Sequence, residues 1–368
     1  MNNLLGKGYD RPFLIIVAVL VIFGFLSFFS ASMGITASEG ESLYTHVLRQ
    51  IILGFGFGGL AFLFGINISF KYWRHFALYI FIGSSLLTLL VFEPHIGFAH
   101  GGAQRWINLG FFFLQPSELL KFGLIVYLAS WMAARKEAIR SMQYGLIPFL
   151  VIASIVGGLL IAQPDVGTLG VMALTSLIMF YISGGKMLHV TFIILLGIGL
   201  VATLIAIEPY RLSRFTVFLD PTEDIRGDGY QLHQSLIAIG SGGIFGRGFG
   251  ESRQKFSYLP ESTSDSIFSV VAEEWGFAGA LFLISIFLAF LWRGLKIAKY
   301  APNVFGRLLA SGIVIMIVVQ AYLHIAALSG LIPLTGLPLV FISKGGSSLA
   351  ISLFLIGVVL NVSKSSRI

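Results

Sequence analysis

The chain of 368 residues contains no cysteine, which excludes disulfides, thiolate nucleophiles and cysteine-based zinc sites and leaves the compartment open. Charge is nearly as scarce. Only 11% of residues are Asp, Glu, Lys or Arg, against about 25% in a soluble domain. Hydrophobic residues make up 56%, and the mean hydropathy is +0.90. Such a chain reads as an integral membrane protein. Histidine is scattered, and His95 with His100 alone defines no zinc site. No Ser-His-Asp arrangement follows from spacing. The glycine-rich stretch GSGGIFGRGFG (240–250) has neither GxGxxG after a strand nor the spacing of a phosphate loop. It reads as a flexible, backbone-exposing segment that carries Arg247.

What the chain does have is long apolar runs. Ten of them, near 12–33, 46–66, 76–94, 117–133, 145–162, 166–183, 187–208, 266–292, 305–329 and 346–363, are candidate spans, since a bilayer core takes about 20 apolar residues as helix. The expected architecture is an all-α integral membrane protein, a single polytopic domain over residues 1–368 with about ten transmembrane helices. A large extracytoplasmic loop, 209–265, joins helices 7 and 8. Gln163-Pro164-Asp165 splits the fifth run from the sixth, and the Gly/Pro-rich bend SGLIPLTGLPLVFISKGGSS joins the last two. The first run has the basic flank and small-residue end of a secretory signal. Its apolar stretch, Pro12 to Phe29, is longer than the roughly 7–15 residues of a signal core, so it is read as a retained span.

Orientation follows from the basic residues. With the N-terminus inside, the inner loops hold 14 of the 24 Lys and Arg, and the short outer loops only Arg49, Arg105 and Lys344. Both termini are therefore expected in the cytoplasm. The net charge of +7 is then mostly topological, and no nucleic acid is needed to explain it. Within the long outer loop, GYQLHQSLIAIG (229–240) places Leu232, Leu236 and Ile239 at helical spacing, which predicts an amphipathic helix on the outer leaflet or on the bundle.

Ionisable groups at the edges of apolar runs are costly and mark candidate sites. Asp265 stands two residues before the run that begins at Ile267, as either a helix cap or a reactive carboxylate. Glu118 and Lys121, three apart, share a helix face. They are either a self-neutralising pair or the lining of a polar cavity in which Lys121 meets an anion. Asp165 follows Pro164 at a helix start, where a carboxylate caps well. At 100° per residue Glu273 lies about 80° from Asp265 and Glu274 roughly opposite. Glu273 is thus the expected cavity companion of Asp265, and a structural hydrogen-bond role stays open for both glutamates.

Several separated stretches then carry a resemblance: GGAQRWINLGFFFLQPSELLKFGL (101–124), QPDVGT (163–168), YRLSRFTVFLDPTEDIRGDGYQLHQSLIAIGSGGIFGRGFGESRQKFSYLPE (210–261), AEEWGFAG (272–279) and GLIPLTGLPLVFISKGGSS (330–348). In this order and conjunction the chain resembles the SEDS family (shape, elongation, division and sporulation), the peptidoglycan polymerases that include RodA and FtsW. FLDP followed by GYQ and SRQKFSYLPE resembles the FtsW branch more than RodA. The resemblance implies a ten-span fold in the bacterial cytoplasmic membrane and polymerisation of lipid II into glycan strands at its outer face. It implies that Asp265 is the essential aspartate and that Arg105, Glu118, Lys121 and Asp165 match the family's site residues. The family usually has His-Thr before that aspartate and Phe after it; here Thr263-Ser264-Asp265-Ser266 stand instead, and Lys344 replaces the usual Tyr.

The expected mechanism has Asp265 as general base, deprotonating the acceptor sugar's 4-hydroxyl, with inversion and departure of undecaprenyl pyrophosphate. Burial beside Glu273 would make the carboxylate a stronger base. Positive charge for the leaving group is expected from Arg105, Lys121, Arg211, Arg214 or Arg247, or from a divalent cation (magnesium or manganese). Glu261, of the LPE triplet, joins the substrate-binding set. Expected partners are a class B penicillin-binding protein, which makes the cross-links, other division or elongation proteins, and membrane lipids. Two other classes stand beside this reading. A lipid II flippase would show discontinuous helices, and the bend at 330–348 is the only such break in the sequence. A non-catalytic scaffold for the transpeptidase would tolerate loss of Asp265.

Overall fold

The computed structural model describes residues 8–39, 42–100, 103–110, 113–207, 209–220, 227, 229–256 and 258–366, without the side chains of 35–39, 100, 103 and 209–211. Helices occupy each of the ten apolar runs. Eight are long and apolar enough to cross a membrane: α1 (Arg11–Glu39), α2 (Leu43–Asn67), α5 (Pro116–Arg135), α6 (Met142–Ala162), α8 (Met187–Ile207), α11 (Ile267–Lys299), α12 (Val304–Leu328) and α13 (Gly346–Lys364). Two shorter apolar helices, α4 (Ala77–Phe92) and α7 (Val166–Ile182), fill the remaining runs. The short α3 (Phe70–His75) turns α2 into α4. The chain is an all-α, multi-pass membrane protein.

The bundle is organised around α12, 83% buried in its most apolar window, whereas α8 is only 6% buried and leaves its sides to lipid. Lipid tails are as apolar as leucine, so helices associate through close packing rather than hydrophobic exclusion. The α2–α13 pair shows this: a Cβ on Gly65 would lie 2.5 Å from the Phe354 carbonyl, and one on Gly357 would lie 2.5 Å from that of Phe62. At one end Asp10 accepts from Arg293 Nε and Nη2 at 2.9 and 2.8 Å. It also caps α1 through Phe13 N at 2.8 Å, tying α1 to α11.

Three features differ from the sequence reading. Between α4 and α5 the chain forms a small antiparallel sheet, β1 (Gly97–His100), β2 (Ala103–Asn108) and β3 (Phe113–Leu114), which carries Arg105. The 209–265 connection contains an unexpected helix, α9 (Pro209–Leu219), ahead of α10 (Tyr230–Ser241), which is the amphipathic helix expected over 229–240. The latter packs on the bundle through Leu232, Ser235 and Ala238, a face rotated from the expected one.

The third is a break in α11 itself, at Gly276 (φ 66°, ψ −165°), so the bend at 330–348 is not the only interruption. The glycine-rich segment 242–248 fills it. Phe277 N and Ala278 N donate to the carbonyls of Gly243 and Ile244, both at 2.9 Å. The freed carbonyls of Glu273 and Glu274 accept from Arg247 N and Gly248 N at 3.0 and 3.1 Å. Four backbone groups are thereby paired within an apolar run, where non-helical backbone survives only if protein surrounds it. A Cβ on Gly276 would lie 2.3 Å from Gly246 N and 2.6 Å from the Ile244 carbonyl. Gly276→Ala adds that clash to a left-handed backbone and is expected to cost on the order of 3 kcal/mol. Thermal melting in detergent checks this, and a melting temperature equal to the parent's would contradict the docking of this loop.

Candidate active site

The site is built at one end of the bundle, where β2, the start of α5, the α6–α7 turn, α9, α10, the 259–266 turn and the 330–345 segment converge. Asp265 lies in the last of a run of turns before α11. Glu261 anchors that turn: it adopts φ 49°, and its carbonyl accepts from Ser264 N and Ser266 N at 3.1 and 3.0 Å. Its side chain takes the Ser264 hydroxyl at 2.6 Å. From the other side Lys344 N donates to the Thr263 carbonyl at 2.7 Å, and Ser343 Oγ to that of Ser264 at 2.6 Å. No side chain caps α11, whose N-cap is Ser266. Capping is therefore not what holds Asp265 there.

The Asp265 carboxylate faces Gly336, whose ideal Cβ position lies 3.4 Å from Oδ2. Burial pushes its pKa from 3.8 up to about 6. Glu261 adds to the rise, Arg105 and Arg214 oppose it, and Asp165 adds again. Four of the expected residues thus act on Asp265. The 334–338 backbone that faces it is gripped at three carbonyls. Arg214 Nη1 donates to Leu334 O at 3.2 Å, His324 Nδ1 meets Leu337 O at 2.6 Å, and Gln320 Nε2 donates to Pro338 O at 3.0 Å. Lys121 stands behind Gln320, with Nζ 2.7 Å from Gln320 Oε1 and 2.8 Å from Glu118 Oε2. Buried and self-neutralised, Glu118 and Lys121 brace this segment. Asp165 caps α7 through Thr168 N at 3.2 Å, and Arg105 Nη2 donates to the Pro164 carbonyl beside it. A cavity of about 250 Å³ opens alongside, lined by Arg214, Tyr230, Gln231, Pro260 and Leu334. Gln231 reaches from it to Ser266 Oγ at 3.0 Å.

Residues 10–368 match the FtsW/RodA/SpoVE family, described as "Cell cycle protein". The chain belongs to the SEDS family. It is 38% identical to stage V sporulation protein E of Bacillus subtilis, over 97% of this chain and 98% of that one. It is also 38% identical to a probable peptidoglycan glycosyltransferase FtsW of a Geobacter species, over 98% of each. Among solved structures it matches a chain of a complex described as coordinating polymerisation and crosslinking in peptidoglycan synthesis, with TM-score 0.80 and 28% identity over 98% and 99% of the two chains. Thermus thermophilus RodA matches at TM-score 0.72 and 28% identity over 99% of each.

Not every expected residue of this SEDS chain joins the site. Glu273 is turned away, accepting Ser252 Oγ at 2.6 Å, Arg253 N at 3.0 Å and Gln254 N at 3.3 Å, with Arg247 Nε at 3.5 Å. The helical-wheel angle fails because Asp265 precedes the helix, so the 100° rule does not extend back to it. The pKa rise comes from burial and Glu261 instead. Arg247 belongs to the loop that fills the α11 break. The side chain of Arg211 lies outside the described residues. Among the described residues no three His, Cys, Asp or Glu side chains are grouped as a metal site requires, and two arginines share the space with the carboxylates. The donor set among the described residues does not fit a resident divalent cation. Gln320, His324 and Lys255 escaped the sequence reading. The first two are polar residues four apart in an otherwise apolar run, a signal that was available.

The raised pKa has a consequence for stability. A carboxyl with a folded-state pKa above its unfolded one binds its proton more tightly when folded, so the native state loses stability as pH rises from about 3.8 to about 6. Asp265→Asn escapes that loss. At pH 7.5 it is expected to be more stable than the parent by on the order of 2 kcal/mol, and the gap should close towards pH 4. Melting curves across that range check the sign, and a variant that melts below the parent at pH 7.5 would contradict it.

Proposed function

We propose that this chain polymerises lipid II into glycan strands at the outer face of the bacterial cytoplasmic membrane. Family membership supports a role in peptidoglycan synthesis, and one observation carries the reaction: a carboxylate near pKa 6 that feels the charges of Arg105 and Arg214, one residue from Ser266, which is bonded to the cavity-lining Gln231. Asp265 accepts the proton of the acceptor's 4-hydroxyl. That oxygen bonds to the anomeric carbon of the growing strand, from the face opposite the leaving group, as the bond to undecaprenyl pyrophosphate breaks. The stereochemistry inverts, and the electron pair departs with the pyrophosphate. Arg105 and Arg214 supply positive charge where that negative charge develops. Glu118 and Lys121 act at one remove, through Gln320 and the 334–338 backbone.

The proposed topology has ten spans with both termini in the cytoplasm, supported by the ten helical runs and the distribution of Lys and Arg, with this end of the bundle outside. A class B penicillin-binding protein is the proposed partner, in keeping with the likeness to a synthase complex that pairs polymerisation with crosslinking. A flippase reading gains one observation, the discontinuity in α11. That break, however, is filled by the backbone of 242–248 rather than opening on a cavity.

Purified protein and labelled lipid II test the proposal. Asp265→Asn is expected to slow strand synthesis by about 10²–10⁴-fold, the usual worth of general-base help. The base must be ionised to act, so the parent's kcat/KM should fall as pH drops through about 6. Near-parental synthesis by Asp265→Asn, or a flat profile down to pH 5, would refute the assignment.

A further inference from the structure

The segment that delivers Asp265 to the start of α11 begins at a buried ion pair that the proposed chemistry does not use. Lys255 and Glu274 have side chains 0% and 1% exposed, 2.7 Å apart. All three donors of the ammonium are engaged: Glu274 Oε1, Ser30 Oγ at 3.0 Å and the Gly250 carbonyl at 2.8 Å. Ser30, on α1, in turn donates its hydroxyl to Glu274, at 2.6 and 2.7 Å from the two carboxylate oxygens. Next to it Glu273 holds Ser252 and the backbone of Arg253 and Gln254. Two adjacent carboxylates, just before the break at Gly276, therefore hold the first residues of the 252–265 segment. The same segment is held at its far end by the contacts of Ser343 and Lys344 with Ser264 and Thr263.

Buried ion pairs are poor stabilisers, since apolar replacements of similar volume are often as stable or more so. What a pair of this geometry does supply is direction. One ammonium fixes three elements against one another: α1, the first part of α11 and the loop at Gly250.

We propose that Lys255 and Glu274 are positioning residues, whose ion pair sets where the Asp265 carboxylate stands relative to the acceptor hydroxyl without touching substrate. The proposal rests on the reading of Asp265 as the base.

The test measures kcat and KM for lipid II together with thermal melting, with Asp265→Asn as reference. Lys255→Met strands the Glu274 charge and is expected to lower kcat by about 100-fold at unchanged KM, as a misplacement of about 1 Å does. Lys255→Met/Glu274→Met removes both charges. It is expected to melt at or above the parent temperature, while its kcat stays roughly tenfold or more below the parent's. A merely structural pair gives the reverse, with turnover recovering alongside stability. Parental kcat in the folded double variant overturns the proposal, even where the single variant does not fold. If Asp265→Asn is inactive while the double variant is fully active, only the positioning role is lost. An active Asp265→Asn removes the base reading itself.

Discussion

Backbone N–H and C=O groups taken into this bundle have to find their partners there, because lipid supplies none. The demand is greatest at Gly276, where the break frees two carbonyls and two amides of α11. The segment 242–248 pairs all four, and it can do so only by bringing its backbone against α11. The first part of α11, Ile267 to Trp275, is thereby separated from the rest of the span, with Ile267–Glu274 buried throughout. Asp265 precedes that short piece. Its place in the protein is thus a consequence of how a broken helix meets its hydrogen-bond requirements.

The electrostatics around Asp265 combine burial with charges of both signs. Two arginines and two carboxylates act on it with opposite sign. Burial is the largest influence and sets the direction, upward. A base near pKa 6 is still mostly ionised at neutral pH, yet it is a better proton acceptor than an ordinary aspartate. The arginines that keep it ionised are the ones available to a departing pyrophosphate. One arrangement therefore serves both ends of the proposed reaction, and neither arginine has to move between roles.

Much of this was legible in the sequence. Apolar runs near the length of a bilayer core marked where the helices stand, and the seam between polar loop and apolar run singled out Asp265. The small sheet was not legible, because strands of four, six and two residues in a glycine-rich stretch carry almost no period. The break at Gly276 was hidden inside a run that stays apolar on both sides. Its sign was indirect: a second glycine-rich segment, at 240–250, with no phosphate-binding spacing to account for its glycines. Lys255 lies in a polar loop, and nothing in sequence shows that it comes to lie beside Ser30. Glu273 was misplaced for a different reason, an angle counted along a helix that had not yet begun at Asp265.

The positions at which this chain departs from the family's usual pattern can now be weighed by what they touch. Thr263 and Lys344 are joined to each other through main-chain atoms, the amide of one to the carbonyl of the other, and the Lys344 side chain is exposed. A main-chain bond does not depend on which side chains flank it, so the turn that carries Asp265 keeps its path without the usual His and Tyr. Ser266 is different, because its hydroxyl is used. It accepts from Gln231 of α10, a contact that the phenylalanine usual there could not make. In this chain, then, α10 is tied to the turn that carries Asp265 by a hydrogen bond, where the family's usual phenylalanine could offer only packing.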